Sequence, residues 1–420
     1  MAEEERSFRA PKGTNDVLPP DSHRWQSTMR LAMDVFGRSG YEPVETPTFE
    51  HTEVFERGVG ATSEVVGKQM YTFVDRGGRS LTLRPEGTAP VVRAVLEHSL
   101  QRGALPLKLA YAGPMFRQER PQKGRYRQFW QVGIEALGSD SPVVDAEVIE
   151  VGMRFLGEAG VTPELLLNSI GHPDDSCRGG YLDVLRSFLR ERTDDMAEDD
   201  RERVDTNPLR TFDSKERATV AVMKEAPVIT DHLCSDCAAH FGEVRTLLDG
   251  IGVTYVLEPR LVRGLDYYTR TTFEFLAGGL GSQNAVGGGG RYDGLAESLG
   301  GEPLPGIGFA LGVDRILLAS EDEGAASSGV DVYVVAVGEG AAGEAFRLVT
   351  DLRRAGLGAD LDLAARSMKG QMKQASSSGA RWAAILGEKE LASGTVTLKD
   401  LETSDQRELP RDEVVGAVLA

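Results

Sequence analysis

The stretch Gly113–Gly138, GPMFRQERPQKGRYRQFWQVGIEALG, places two β-rich runs on either side of a loop crowded with guanidinium groups. In its second half Gln131, Gly133 and Glu135 alternate with the apolar Val132 and Ile134. This is the period-two pattern of a strand with one polar face. A small residue between two polar ones leaves room there for a bound ligand. The same pattern also fits an ordinary amphipathic strand whose polar face meets water. Between Arg117 and Arg127 stand five basic residues, Arg117, Arg120, Lys123, Arg125 and Arg127, against one acid, Glu119. Guanidinium forks at that density suit phosphate.

Outward from this hairpin the pattern continues. Trp25, Met29, Ala32, Met33 and Phe36 recur at helical spacing, and Gly40 and Pro43 end that helix ahead of the extended YEPVETPTFE. LTLRP, LKLAYAG and RTTFEFLAGG read as further strands. Irregularly spaced strands, several bounded by Gly, predict an α+β core with a largely antiparallel sheet carrying helices. From about Gly171 to Gly250 the texture turns helical and charged, as in an inserted domain. The small and polar ASEDEGAASSGV, Ala319–Val330, reads as a linker. After it VDVYVVAVG, GEAFRLVTDLRRAG (with Phe346, Leu348, Val349 and Leu352 on its packed face), LGADLDL, a helix through MKGQMKQASSSGA, and RWAAILGE alternate strand and helix. That alternation predicts a small α/β domain with a mostly parallel sheet. The expected layout is a core over 1–170, a helical insertion over 171–250, the rest of the core over 251–320, a linker over 321–330 and a C-terminal domain over 331–420.

Bulk composition narrows the functional class. With 47 basic and 65 acidic residues the net charge is −18, which argues against a protein that coats nucleic acid non-specifically. It leaves room for a nucleic-acid enzyme with locally concentrated positive charge. No run of about 18 apolar residues appears, so no membrane span is expected, and the charged start MAEEERSFRA does not resemble a secretory signal. Three cysteines, Cys177, Cys234 and Cys237, form no even disulfide framework and fit a reduced, cytoplasmic setting. Cys234-Ser-Asp-Cys237 has the spacing of half a zinc site, with His232 and His240 nearby. Lacking a second cysteine pair, it reads as two ordinary thiols on a helix, and no metal ligand is assigned. TSEVVGKQ misses the first Gly and the Ser or Thr of a P-loop, so any use of ATP must follow another route.

Two more segments carry polar chemistry. In LTLRPEGTAPVVRA, Leu81–Ala94, a strand stops at Glu86 and Thr88 just before a helix. The pair can accept hydrogen bonds from an ammonium group, or cap that helix. LVRGLDYYTRTTFEF, Leu261–Phe275, precedes NAVGGGGRYDGLAESLGG and PGIGFALGVDRILLA. Gly287–Gly290 lets backbone approach a ligand closely, and Gly306-Ile307-Gly308-Phe309 runs into a helix bearing Arg315.

Taken together, and in this order, the segments resemble the histidyl-tRNA synthetases, a family of class II aminoacyl-tRNA synthetases. The resemblance runs from APKGTNDVLPP to ILGEKELASGTVTLKDLET. YEPVETPTFEHTEVFERG resembles the first class motif, which lies at the dimer interface. FRQERPQKGRYRQF resembles the second and GIGFALGVDRI the third, while RGLDYYTRTTFEF and GGRYDGL resemble segments specific to the histidine enzyme. A silent relative that regulates a phosphoribosyltransferase of histidine biosynthesis usually lacks the C-terminal domain and RGLDYY. Both are present here.

The resemblance implies ATP-dependent ligation of L-histidine to its tRNA through a histidyl-adenylate, with release of AMP and pyrophosphate, by a homodimer using Mg²⁺. It implies that Arg117 holds the α-phosphate of ATP, that Arg315 holds the γ-phosphate end, and that Arg125 and Glu119 lie in the ATP site. Glu86, Thr88 and Gln131 would take the histidine ammonium. Glu135 and Tyr268 would hydrogen-bond the imidazole, in a pocket lined by Tyr267 and Tyr292. Arg263 would sit over the carboxylate and α-phosphate. The C-terminal domain resembles the family's anticodon-binding domain, with Arg366, Lys369 and Lys373 as candidate tRNA contacts. The loop around Arg120 and Gln122 would read an extra guanosine at the tRNA 5′ end.

Overall fold

The computed structural model describes residues 8–60, 63, 65–281, 284–321 and 329–419. The first seven residues of the charged start and the middle of the expected linker, 322–328, lie outside the described residues. The chain forms two compact units, the larger reaching to Glu323 and the smaller running from Gly324 onward, with Leu18–Arg24 grouped with the smaller.

The strands of the larger unit are β1 (Glu42–Pro43), β2 (Phe49–His51), β3 (Tyr71–Val74), β4 (Ser80–Leu83), β5 (Leu107–Phe116), β6 (Gln128–Leu137), β7 (Glu164–Ser169), β8 (Val256–Leu257), β9 (Thr269–Leu276), β10 (Ala285–Arg291) and β11 (Gly306–Gly312). Eight of them form one sheet in the order β1-β5-β6-β11-β10-β9-β7-β8. Every central pairing is antiparallel, and only the outermost pairs, β1 with β5 and β7 with β8, are parallel. The antiparallel core expected from the sequence is therefore present. A separate antiparallel sheet, β2-β4-β3, carries Phe49–His51 at the end of the YEPVETPTFEH region and the strand leading to Glu86.

Helix α1 (Asp21–Arg38) buries Ala32, Val35 and Phe36 on one stripe, as the spacing predicts. The Phe36 ring meets Phe155 edge-on at 5.4 Å and Phe309 at 5.7 Å, which joins α1 to the sheet. A second long helix, Pro142–Glu158, starts with Ser141 accepting from the Val143 N–H and with Pro142 in its first turn. Both helices feed a core with Ile134, Leu167, Phe273, Phe275 and Leu311. Burying a phenylalanine such as Phe36 contributes roughly 1.5–3 kcal/mol.

The inserted segment packs its own cluster, Tyr181, Leu185, Leu189, Met196, Val204, Met223 and Ile229. Its last helix, Ser235–Gly250, instead sends Phe241, Val244 and Leu248 into the main core. Packing thus changes owner ahead of Ser235, where the sequence texture had suggested a break at 250. A charged helix face in water looks the same whichever body its apolar stripe joins.

In the smaller unit β12 (Val332–Ala336), β13 (Ala359–Leu361), β14 (Trp382–Leu386), β15 (Thr395–Asp400) and β16 (Gln406–Pro410) order as β13-β12-β14-β15-β16. Two pairings are parallel and two antiparallel, so the mostly parallel sheet expected here is corrected to a mixed one. The reason is connection length. Only Gly387–Gly394 separates β14 from β15, fewer residues than the dozen or so a parallel crossover needs. Helix Ala341–Arg354 buries Ala341, Ala345, Leu348, Val349 and Leu352, while Phe346 is 62% exposed. Phe346 was expected on the packed face. One turn back from Val349 the stripe runs through Ala345, and Phe346 falls beside it.

Candidate active site

Cross-strand register decides what the central sheet presents. One row reads Leu109, Glu135, Gly308, Gly290, Thr272, and the next reads Tyr111, Gly133, Ala310, Gly288, Glu274. Directly opposed residues share a face, so Glu135 and Glu274 project to the same side, separated by glycines. Close approach requires those glycines. A Cβ on Gly308 would lie 2.0 Å from the Glu135 Oε2, and one on Gly288 would lie 3.0 Å from the Arg263 Cζ.

Glu135 is fully buried at the floor of this face. It accepts from the Thr88 hydroxyl at 2.6 Å, from Tyr292 in a short bond, and from Tyr111 at 3.5 Å. Burial outweighs these donors and pushes its carboxyl up to about 8. The Tyr267 ring lies 4.7 Å from Tyr268 and 5.6 Å from Tyr292, so the three phenols cluster, with Tyr292 bonded to Glu135. Burial also raises all three hydroxyl pKa values. The expected histidine-pocket residues Glu135, Tyr267, Tyr268 and Tyr292 are thus brought together.

Glu86 behaves first as the cap the sequence allowed. Its carboxylate accepts from the Thr88 N–H at 2.8 Å and the Ala89 N–H at 2.9 Å, at the start of helix Thr88–Glu97. Tyr267 also reaches it at 3.4 Å. Burial raises its pKa. Thr88 gives its hydroxyl to Glu135, not to the helix. Gln131 stands two residues before Gly133 on the same face, and its Oε1 is buried without a hydrogen-bond partner. A buried acceptor with no partner is an unmet demand for a donor.

Arginines occupy the far end. Arg117, just past β5, donates from Nε to the Pro85 carbonyl at 2.8 Å and lies 5.4 Å from the Phe129 ring. Glu119 sits between Arg117 at 3.7 Å and Arg125 at 3.5 Å. Arg315, on the helix after β11, donates to the Ala285 carbonyl at 2.5 Å and to the Gly124 carbonyl at 3.5 Å. Burial and then the nearby positive charge of Arg125 lower the pKa of Arg315. Like charges held this close fit an anion bound between them.

Arg263 lies against the middle of the face, at Gly288 and Glu274. Its Nη1 meets Glu274 at 2.5 Å while its Nε is buried without a partner. Arg210 of the inserted segment donates to the Arg263 carbonyl at 3.0 Å and pairs with Asp266 at 2.7 Å, which holds this loop from outside. A cavity of about 280 Å³ opens beside Arg263 and Tyr268 and is also lined by Arg178, Arg210 and Asp266. Sequence reasoning missed Glu274 and Tyr111. Both were signalled by alternation, as the polar positions inside TTFEFL and LKLAYAG.

Two further clusters depart from expectation. Arg291, beside Tyr292, and Asp145 are both wholly buried and paired, and His240 Nε2 lies 2.8 Å from Asp145. Burial opposes the Asp145 charge, but His240 and Arg291 together hold its pKa low. His240 is thereby committed away from the cysteines. Cys234 and Cys237 do not stand alone: His172 and Cys177, distant in sequence, join them, and the four donor atoms lie within 4.8 Å of one another. A spacing search could not see this, because His172 and Cys177 stand 62 and 57 residues ahead of Cys234.

Known proteins align with the whole of this architecture. The family described as Histidyl-tRNA synthetase matches residues 13–316, and the Anticodon binding domain matches 331–420. A histidine–tRNA ligase of Moorella thermoacetica is 51% identical over 409 residues, covering 96% of each chain. One from Nocardia farcinica is 50% identical over 418 residues, covering 98% of each. The apo histidyl-tRNA synthetase of S. aureus superposes with a TM-score of 0.83 at 36% identity, covering 99% of this chain and 100% of that one. The chain belongs to the histidyl-tRNA synthetase family, and so to the class II aminoacyl-tRNA synthetases.

Proposed function

We propose that this chain charges tRNA with histidine in two steps, on the sheet face that runs from Glu135 to Arg117 and Arg315. The observation that carries the reading is one continuous face with a buried carboxylate ringed by tyrosines at one end and arginines at the other. As an aminoacyl-tRNA synthetase it uses ATP.

In the first step a carboxylate oxygen of histidine attacks the α-phosphorus of ATP. A P–O bond forms, the bond to pyrophosphate breaks, and histidyl-adenylate remains. Arg263, poised by Glu274, faces the charge that builds at that phosphorus, with Arg117 on the α-phosphate. Arg315, with Arg125 and Glu119 nearby, takes the γ-phosphate end. Gln131 Oε1, Glu86 and Thr88 receive the ammonium group, and the unpaired acceptor on Gln131 supports that role. Glu135 and Tyr268 address the two imidazole nitrogens, with Tyr267 and Tyr292 closing the pocket. Mg²⁺ would travel with the ATP phosphates and offset their charge. The nearby carboxylates Glu119 and Glu274 already face arginines, which fits a cation held mainly by phosphate oxygens.

In the second step the terminal adenosine hydroxyl of tRNA attacks the adenylate carbonyl and AMP leaves. Glu86, Glu135 and Glu274 are all engaged, so we assign the hydroxyl proton to a phosphate oxygen of the adenylate. Exposed Lys369 and Lys373 lie one turn apart on helix Met368–Ser377, and Arg366 precedes them, paired with Asp362. They are the candidate anticodon-side contacts, and exposed Arg120 and Gln122 the candidates for the 5′ guanosine. We also infer a homodimer through the first motif. Phe49, Phe73 and Val74 on the three-stranded sheet are 50%, 43% and 70% exposed, an apolar surface suited to a second copy.

The two units have separate cores. Truncation after Val330 is therefore expected to leave histidine-dependent pyrophosphate exchange within a few-fold of normal and to reduce aminoacylation by at least about tenfold, a loss of roughly 1.4 kcal/mol in coupling to tRNA. Parallel exchange and charging assays on the truncated protein check this. Full-rate charging would remove the tRNA role of the C-terminal unit.

A further inference from the structure

We infer that His172, Cys177, Cys234 and Cys237 form a closed, structural Zn²⁺ site at the root of the inserted segment. Three sulfurs and one imidazole nitrogen form a complete tetrahedral donor set for that ion. Zn–S bonds of about 2.3 Å put the sulfurs of such a site about 3.8 Å apart. Here His172 Nδ1 lies 2.9 Å from the Cys237 Sγ and 3.7 Å from the Cys234 Sγ, and all four donor atoms fall within 4.8 Å of one another. Cys177 and Cys237 are buried, and the other two ligands are half-buried.

The surroundings support the site as built. His172 Nε2 lies 3.1 Å from the Asp174 carboxylate, which fixes that nitrogen as the donor and turns Nδ1 toward the sulfurs. Carboxylate–histidine pairs behind a zinc ligand do the same. Cys234 caps helix Ser235–Gly250, and its Sγ accepts from the Cys237 N–H at 3.4 Å, a position that favours thiolate. The Cys234 N–H points at the Cys177 Sγ at 3.5 Å. Gly171 has a φ of +61°, and a Cβ there would lie 2.5 Å from the Cys177 Sγ, so only glycine allows the approach. Four protein ligands leave no open position for substrate, which makes the site structural. A single histidine with three cysteines also differs from the four thiolates typical of an iron–sulfur cluster.

The placement gives the ion a task. His172 and Cys177 lie in the loop after β7, and Cys234 and Cys237 start the helix that returns to the main core. The site therefore staples both ends of the inserted segment. Arg178, next to Cys177, donates to the Tyr268 carbonyl at 2.7 Å, and the Arg270 N–H donates to the Gly171 carbonyl at 2.8 Å. The loop that bears the ligands thus grips the backbone on both sides of Thr269, and so steadies Tyr268.

The test uses the full-length protein purified under reducing conditions without added metal. Elemental analysis is expected to find about one zinc per chain, and Co²⁺ exchange to give the visible bands of tetrahedral thiolate coordination. Cys234→Ser combined with Cys237→Ser should lose the metal. If that double variant does not fold, chelation of the native protein with thiol counting before and after replaces it. Three thiols that become reactive only as zinc is released support the site. Metal-free folded protein with three reactive thiols, or with a disulfide seen by intact mass, would overturn it.

Discussion

Arg263→Ala is expected to slow histidine-dependent adenylation by about 10²–10³-fold, the usual cost of removing one charge-stabilising donor. ATP binding should stay within a few-fold. The side chain is held by Glu274 over the glycine at 288, and Arg117, Arg125 and Arg315 remain to hold the phosphates. Rapid-quench adenylation together with ATP titration separates the two quantities. Equal losses in both would make Arg263 a binding residue and remove its role at the reacting phosphorus. Arg263→His should behave like the alanine variant, since imidazole lacks the fork that spans Glu274 and a phosphate.

Glu135→Gln is expected to lower kcat/KM for histidine by about 10³–10⁴-fold with little change in the KM for ATP. A site built to hydrogen-bond a ring nitrogen leaves buried groups unpaired when the match fails, and such sites discriminate by about 10⁴–10⁵. The same variant carries a pH signature. Glu135 keeps its proton in the fold up to about 8, whereas an unfolded glutamate loses it near 4.5. Its contribution to stability is therefore full below the unfolded value and is lost as pH rises through the folded one. Denaturant unfolding of the ligand-free protein should show wild type losing stability relative to Glu135→Gln as pH rises from 4.5 through about 8. An unchanged difference across that range would mean the carboxyl is already ionised at neutral pH.

Much of this site was legible in the sequence. Alternation at Gln131, Gly133 and Glu135 pointed to a polar strand face, and the register places Glu135 and Glu274 on it. Glycines in GGGG and GIG pointed to close approach, and Gly308 and Gly288 supply it under Glu135 and Arg263. What escaped the sequence depends on contacts between distant segments. His240 looked like a partner for the cysteines but belongs to Asp145, while His172 arrives from the loop after β7. Phe346 was misplaced because a helical stripe is broad enough to admit a neighbour one position off.

The most direct test is pyrophosphate exchange into ATP, measured with each of the twenty amino acids in the absence of tRNA. Strong exchange with histidine alone is expected, since only an imidazole satisfies Glu135 and Tyr268 together. Exchange driven by another amino acid, or none from folded protein, would contradict the proposed pocket and its chemistry.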